Sequence, residues 1–209
     1  MAMVAFGEDR GRGALLAVGP GLHPGCCRTT ETFTAALGAP LEEARAAGRL
    51  GPRTVAVYGE HVGTWLGAIG EEETRRAAAA TAADASRTLA LRHLPRYLFA
   101  FLASRADDRA TAAVFGSKAG AMAAAYQRSF SVLARRHGIT IVAGSIVLPR
   151  PAVRAGRLLA GNGPLENVSA VFAPDGGLHE RLSRKCFPTA AERPWLAAAS
   201  PEELPVFAT

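Results

Sequence analysis

ALLAVGPGLHPGCCRTTETFTAALGAPLEEARAAGRLGPRTVAVYGE, residues 14–60, holds two short apolar runs with a helical pattern between them. ALLAVGP (14–20) closes on Gly-Pro and RTVAVYGE (53–60) closes on Gly-Glu. Continuous apolar runs this short suit buried strands. Between them, Thr29 or Thr30 can cap a helix that starts at Glu31 and runs towards Gly48. A break or kink is expected near Gly38-Ala39-Pro40, because proline removes a backbone donor and crowds the preceding turn. Strand, helix, strand predicts an α/β layered fold.

Before this stretch, residues 1–13 are rich in glycine and charge and read as a flexible N-terminal tail. After it, Glu71 to Arg105 is helical by composition, with Glu71, Glu72 and Glu73 favouring a helix N-terminus. TLALRHLPRYLFAFLAS (88–104) puts Leu91, Leu94, Leu98, Phe101 and Leu102 on one face, and Pro95 should kink or divide that helix. RADDRA is a turn, and 117–137 repeats Met122, Tyr126, Phe130 and Leu133 at core spacing. Gly138 closes that helix, and ITIVAGSIVLP (139–149) reads as a third buried strand. A loop or poorly paired hairpin follows. NVSAVFAPDGGLHERLSRK (167–185) then predicts two strands around the Pro-Asp-Gly-Gly turn. The last segment reads as a loop, a short helix near 191–199, and the opening of another strand.

Composition bounds the function. With 209 residues the chain can bury one sizeable core, and no linker or repeat divides it. The net charge of +6 comes from arginines scattered along helices, not from a basic cluster interleaved with aromatics, so no nucleic-acid partner is expected. Nothing approaches the ~20 apolar residues of a membrane span, and the N-terminus lacks the apolar core of a signal peptide. Contact with a membrane is therefore not expected, although the amphipathic segment 89–105 offers a weaker reading as a membrane-surface or partner helix. Three cysteines, two of them adjacent, make no disulfide framework and fit a reducing cytoplasm. The sequon Asn167-Val168-Ser169 then reads as a chance match.

Glu60 stands at the C-terminal end of a strand, the edge where α/β folds place their sites, although a turn glutamate reads the same way. Lys185 after a strand and His61 beside Glu60 read equally well as a solvated lysine and a hydrogen-bonded histidine. His23 near Cys26 and Cys27 lacks a second pair at zinc spacing, and no phosphate or dinucleotide loop is present, so neither metal nor cofactor is expected.

Order gives these signals more weight. VAVYGEHVGTWL (55–66), LARRHGITIVAGSIVLP (133–149) and NVSAVFAPDGGLHERLSRK (167–185) resemble, in sequence order, three segments of the carbon–nitrogen hydrolase (nitrilase) superfamily. The resemblance spans about residues 14–209, with a helical insertion near 77–115. It implies a nitrilase-like αββα sandwich, incomplete here, with C-terminal strands and helices missing. It implies hydrolysis of non-peptide amide or nitrile bonds by a Glu-Lys-Cys triad through a thioester acyl-enzyme. Glu60 would be the general base and Lys185 the group that stabilises the tetrahedral anion. Glu192, in AAERPWL, would position the lysine and substrate, although a helix N-terminal glutamate explains it equally. The family's cysteine follows the lysine at the end of a later strand, and here the chain stops after LPVFAT. Cys186 adjoins Lys185, and neighbouring strand residues face opposite ways, so it is not expected to replace that cysteine. Cys26 and Cys27 are expected to be buried or incidental thiols. The chain alone is then expected to be inactive, poorly soluble and prone to homo-oligomerise. The alternative is a non-catalytic nitrilase-like protein that binds a small ligand or a partner.

Overall fold

The computed structural model describes residues 13–68, 87, 88 and 90–207. The first unit is the expected one: β1 (Ala14–Val18), α1 (Thr30–Ala46) and β2 (Thr54–Tyr58), with β1 and β2 parallel and Leu16 opposite Ala56. Thr29 caps α1 reciprocally with Thr32, each side chain accepting from the other's backbone amide. The helix continues through Pro40 without the expected break. Phe33, Leu37, Leu41 and Ala44 are all buried on its inner face, and that packing outweighs one missing backbone bond. Cys26 and Cys27 lie buried in the 3-10 turn before α1. Burial and the adjacent Cys26 push the Cys27 thiol up to about 12, so it is an inert core thiol.

Among the described residues, α2 (Leu94–Ala103) and α3 (Arg109–His137) follow. Pro95 sits in the first turn of α2, where its missing amide costs nothing, so it divides the helical stretch as expected. Asp108 caps α3 through the Thr111 amide, and Gly138 ends it at φ +63° in the left-handed conformation. Met122, Tyr126, Phe130 and Leu133 are buried, as their spacing requires. In α2, however, Leu94, Leu98 and Leu102 face outward, and only Phe101 of the expected stripe in that helix is half-buried. The N-terminal tail up to residue 12, the Glu71–Glu73 segment and the part of the expected insertion from 77 to 86 lie outside the described residues. No helix among the described residues is long and apolar enough to cross a membrane.

The run 139–149 is two strands, not one. β3 (Thr140–Val142) lies parallel to β2 in a first sheet whose order is β1-β2-β3 and then β8 (Val171–Phe172), while β4 (Ile146–Pro149) belongs to a second sheet whose order is β4, β7 (Leu165–Ser169) and β9 (Ser183–Arg184). Residues 143–145 carry the chain across. It returns the same way: β7 (Leu165–Ser169) pairs with β4, and after Ala170, β8 (Val171–Phe172) pairs with β3. The segment between is a separate hairpin, β5 (Ala152–Arg154) and β6 (Arg157–Leu159). The Pro-Asp-Gly-Gly turn forms, but its two arms share only the Phe172–Leu178 bridge. The second arm ends as β9 (Ser183–Arg184) on β7 in the other sheet. The expected helix at 191–199 is a turn, followed by a single bridge from Leu196 to Leu165. The expected final strand is absent from 204–207.

The two crossings are tied together. The Ala143 amide donates to the Ala170 carbonyl (2.9 Å). The fully buried Tyr126 hydroxyl donates to the Gly144 carbonyl (2.8 Å) and accepts from the Ala170 amide (3.3 Å). Tyr126→Phe leaves both backbone groups without that partner, at an expected cost of about 2 kcal/mol. The urea midpoint should fall with the slope unchanged. An unchanged midpoint would show that these bonds contribute nothing.

Candidate functional site

β2 ends at Tyr58, and the chain turns sharply through Gly59, Glu60 and His61, with His61 at φ +61°. A non-glycine residue in that region is held by its surroundings. Here the crossing segment holds it. The His61 amide donates to Ser145 Oγ (2.8 Å) and the Gly63 amide to the Ser145 carbonyl (2.9 Å). Gly144 lets the turn lie flat, since a Cβ there would stand 2.6 Å from Val62 Cβ. Glu60 is thus delivered from the first sheet towards the second.

The second sheet supplies the partners. Lys185 follows β9, its amide bonded to the Asn167 carbonyl (2.9 Å) and its carbonyl to the Ala199 amide (3.0 Å). Its ammonium donates to Glu60 Oε1 (2.7 Å) and to both oxygens of Glu192 (2.9 and 2.7 Å). Glu192 hangs from the turn that replaces the expected helix, and its Oε2 accepts from the amide and hydroxyl of Thr189, each at 2.7 Å. His61 Nε2 lies 3.0 Å from Glu192 Oε1, and its Nδ1 lies 3.2 Å from Thr64 Oγ1. The buried Asn167 donates its side-chain amide to Glu60 Oε1 (2.8 Å).

The two carboxylates are not equivalent. Glu192 is 8% exposed, with every oxygen engaged, and Glu60 is 52% exposed. Burial alone would raise Glu192, but Lys185, Thr189 and His61 together hold it down to about 2. It is a fixed anion. Glu60 keeps Oε2 without a hydrogen bond among the described residues, so it is the carboxylate with an oxygen available to a proton. Burial pulls the Lys185 ammonium down, but its bonds to Glu192 and Glu60 prevail and hold it above its ordinary value. The lysine is charged at neutral pH and ready to stabilise an anion. To do so it must redirect one donor, since its bonds already go to three carboxylate oxygens.

Acid should dissolve this arrangement in a defined window. The folded Glu192 value lies below its ordinary 4.5, so its contribution is present above that pH and disappears as pH falls towards about 2. Melting temperature should drop across that range, and Glu192→Gln should flatten the drop. An equally steep fall in the variant would place the acid sensitivity elsewhere.

One oxygen each of Glu60 and Glu192 and a ring nitrogen of His61 lie within 4.8 Å of one another. The Lys185 ammonium already bonds both carboxylates, and a metal cation would have to displace it. All three residues singled out in the sequence, Glu60, Lys185 and Glu192, therefore meet in one cluster. His61, read as hydrogen-bonded to its surroundings, is so, and its partner is Glu192. Asn167 opens the segment 167–185 that carries the resemblance, and its sequence alone assigns it no role at the site. Pairing the strands about the Pro-Asp-Gly-Gly turn sets it beside Lys185, which was the available signal. Cys186 turns its thiol to the Arg184 carbonyl (3.5 Å), and no thiol among the described residues hydrogen-bonds Glu60. Compared with models of known protein families and with curated proteins, the chain matches none.

Proposed function

We propose that this chain carries the charge-handling part of a carbon–nitrogen hydrolase site acting on small amides or nitriles, on a nitrilase-like αββα sandwich. The observation that carries the reading is the Lys185 ammonium bridging Glu60, from the end of β2 in the first sheet, and Glu192, from the turn that follows β9 of the second. In the reaction of the family this site resembles, Glu60 would take the proton of a cysteine thiol, which no described residue brings to it, as the sulfur attacks the carbonyl carbon. Lys185 donates to the oxyanion that forms. The tetrahedral species collapses, the C–N bond breaks, and Glu60 returns the proton to the departing amine. Water then attacks the thioester, with Glu60 taking its proton, and the acid leaves as the thiol is restored. Asn167 steers Glu60 Oε1, leaving Oε2 for the proton, and Glu192 keeps the lysine charged.

A binding-only version of the same site is favoured by one observation: no described thiol hydrogen-bonds Glu60. Both versions give the same first result. The 209-residue chain should release no ammonia from simple aliphatic amides or nitriles. It should nonetheless bind a short primary amide in ligand-observed NMR, and Lys185→Ala and Glu60→Gln should abolish that binding. An amide signal indifferent to both substitutions, or absent from the wild type, would defeat the proposal. Ammonia release that vanishes in either variant would restore full catalysis to this chain and remove the binding-only version.

A further inference from the structure

α2 is turned inside out for a helix on a protein surface. Its half-buried positions are Tyr97, Ala100 and Phe101, with Ser104 at its end, and Ala100 packs closely on Gly116 of α3. The opposite face carries the larger apolar side chains. Leu91 just before the helix is 66% exposed, and Leu94, Leu98, Phe99 and Leu102 are 45%, 47%, 67% and 78% exposed. Spaced four apart, Leu94, Leu98 and Leu102 form one stripe along α2 with Phe99 on its edge, and Leu91 is exposed just before the His93 cap. Single exposed apolar residues need no explanation, but a contiguous stripe marks a surface that something covers.

Charge says what covers it. From Arg87 to Ala106 the sequence holds Arg87, Arg92, Arg96 and Arg105 and no aspartate or glutamate. Arg96 falls on the flank next to Phe99, where its long stem can lie along the stripe with the guanidinium at its border. A second copy fits poorly. Symmetric pairing would bring the arginine borders of two chains together, and a helix about 15 Å long offers well short of the roughly 800 Å² per partner of a stable dimer. An apolar stripe whose own segment, 87–106, carries cations and no carboxylate matches the surface of an anionic bilayer, with leucines among the acyl chains and arginines among the headgroups.

We infer that α2 is a lipid-surface helix that docks this protein reversibly on anionic membranes. This is independent of the chemistry at Glu60 and Lys185. It reverses the sequence-level expectation of no membrane contact and takes up the weaker reading of segment 89–105. The test is flotation of the full chain with vesicles of equal parts phosphatidylcholine and phosphatidylglycerol. The chain should float with them, and affinity for pure phosphatidylcholine vesicles should be about tenfold lower or less measurable still. Leu98→Glu/Leu102→Glu should lose about a hundredfold or more of the affinity. Because both leucines are exposed, that variant should keep the wild-type melt. High salt should weaken binding, because the arginine contribution is screened. A chain that stays in solution with anionic vesicles, or a double variant that floats as well as wild type, overturns the inference. So does a wild-type dimer in sedimentation that the double variant abolishes while neither protein floats. In that case a second copy covers the stripe.

Discussion

Replacing Lys185 with methionine is expected to cost the folded chain about 3 kcal/mol and to lower its melting temperature by about 10 °C. Methionine keeps most of the apolar stem, so the loss is the loss of charge. What remains is the Glu192 carboxylate, 8% exposed and deprived of the cation that bonds both its oxygens. Thr189 and His61 still donate to it, but a nearly buried anion without a counter-ion is the costly half of a broken pair. The bond to Glu60 contributes little to this figure, because Glu60 is half in water. Adding Glu192→Gln to Lys185→Met should recover more than half of the loss, and a double-mutant cycle measures that coupling. A Lys185→Met protein that melts with wild type removes the pair as a source of stability.

Gly144→Ala is expected to be comparably severe, at about 3 kcal/mol, and to disturb the site as well. A Cβ at 144 would overlap the Gly59 carbonyl and approach Val62 Cβ to 2.6 Å. Neither contact is the end of a flexible side chain, so the Glu60 turn has to move away from the second sheet. The same residue gives its carbonyl to Tyr126, which resists movement in the other direction. Gly120→Ala is the control. It lies exposed in α3 with open space where the methyl would go, and should stabilise the chain by about 0.5–1 kcal/mol. If both variants gain stability, the close approach at Gly144 is not a constraint.

Much of this was legible in the sequence where one local signal acts alone. The Thr29 cap, the glycine stop at Gly138 and the Met122–Tyr126–Phe130–Leu133 spacing each mark their element directly. The crossings at 143–145 and Ala170 were not, because both sheets bury their strands and a chain passing between them stays apolar throughout. Periodicity cannot mark a change of sheet inside such a run. The helix expected at 191–199 failed for a different reason. Its alanines favour helix, and the Glu192 carboxylate takes the Thr189 amide as a helix-starting cap would, but Pro194 has no amide for the Ala190 carbonyl and the run stops at the Leu196 bridge. Glu60, Lys185 and Glu192 were found through the resemblance of their surroundings, since no spacing rule joins residues so far apart. Asn167 was missed because its role depends on strand register, which the turn only suggests.

The separation has a kinetic consequence. Glu60 and Lys185 stand 125 residues apart and on different sheets, and closing a loop of that length costs about 4 kcal/mol of chain entropy. The ion cluster can repay that only after β2 and β9 have been brought to the same edge, so it belongs to the native side of the folding barrier. Lys185→Met should therefore speed unfolding while leaving refolding near the wild-type rate, giving a φ-value close to zero. Tyr126, which ties the crossings from within α3, should give a clearly higher one. The catalytic-looking cluster is then the last part of this protein to assemble and the first to come apart.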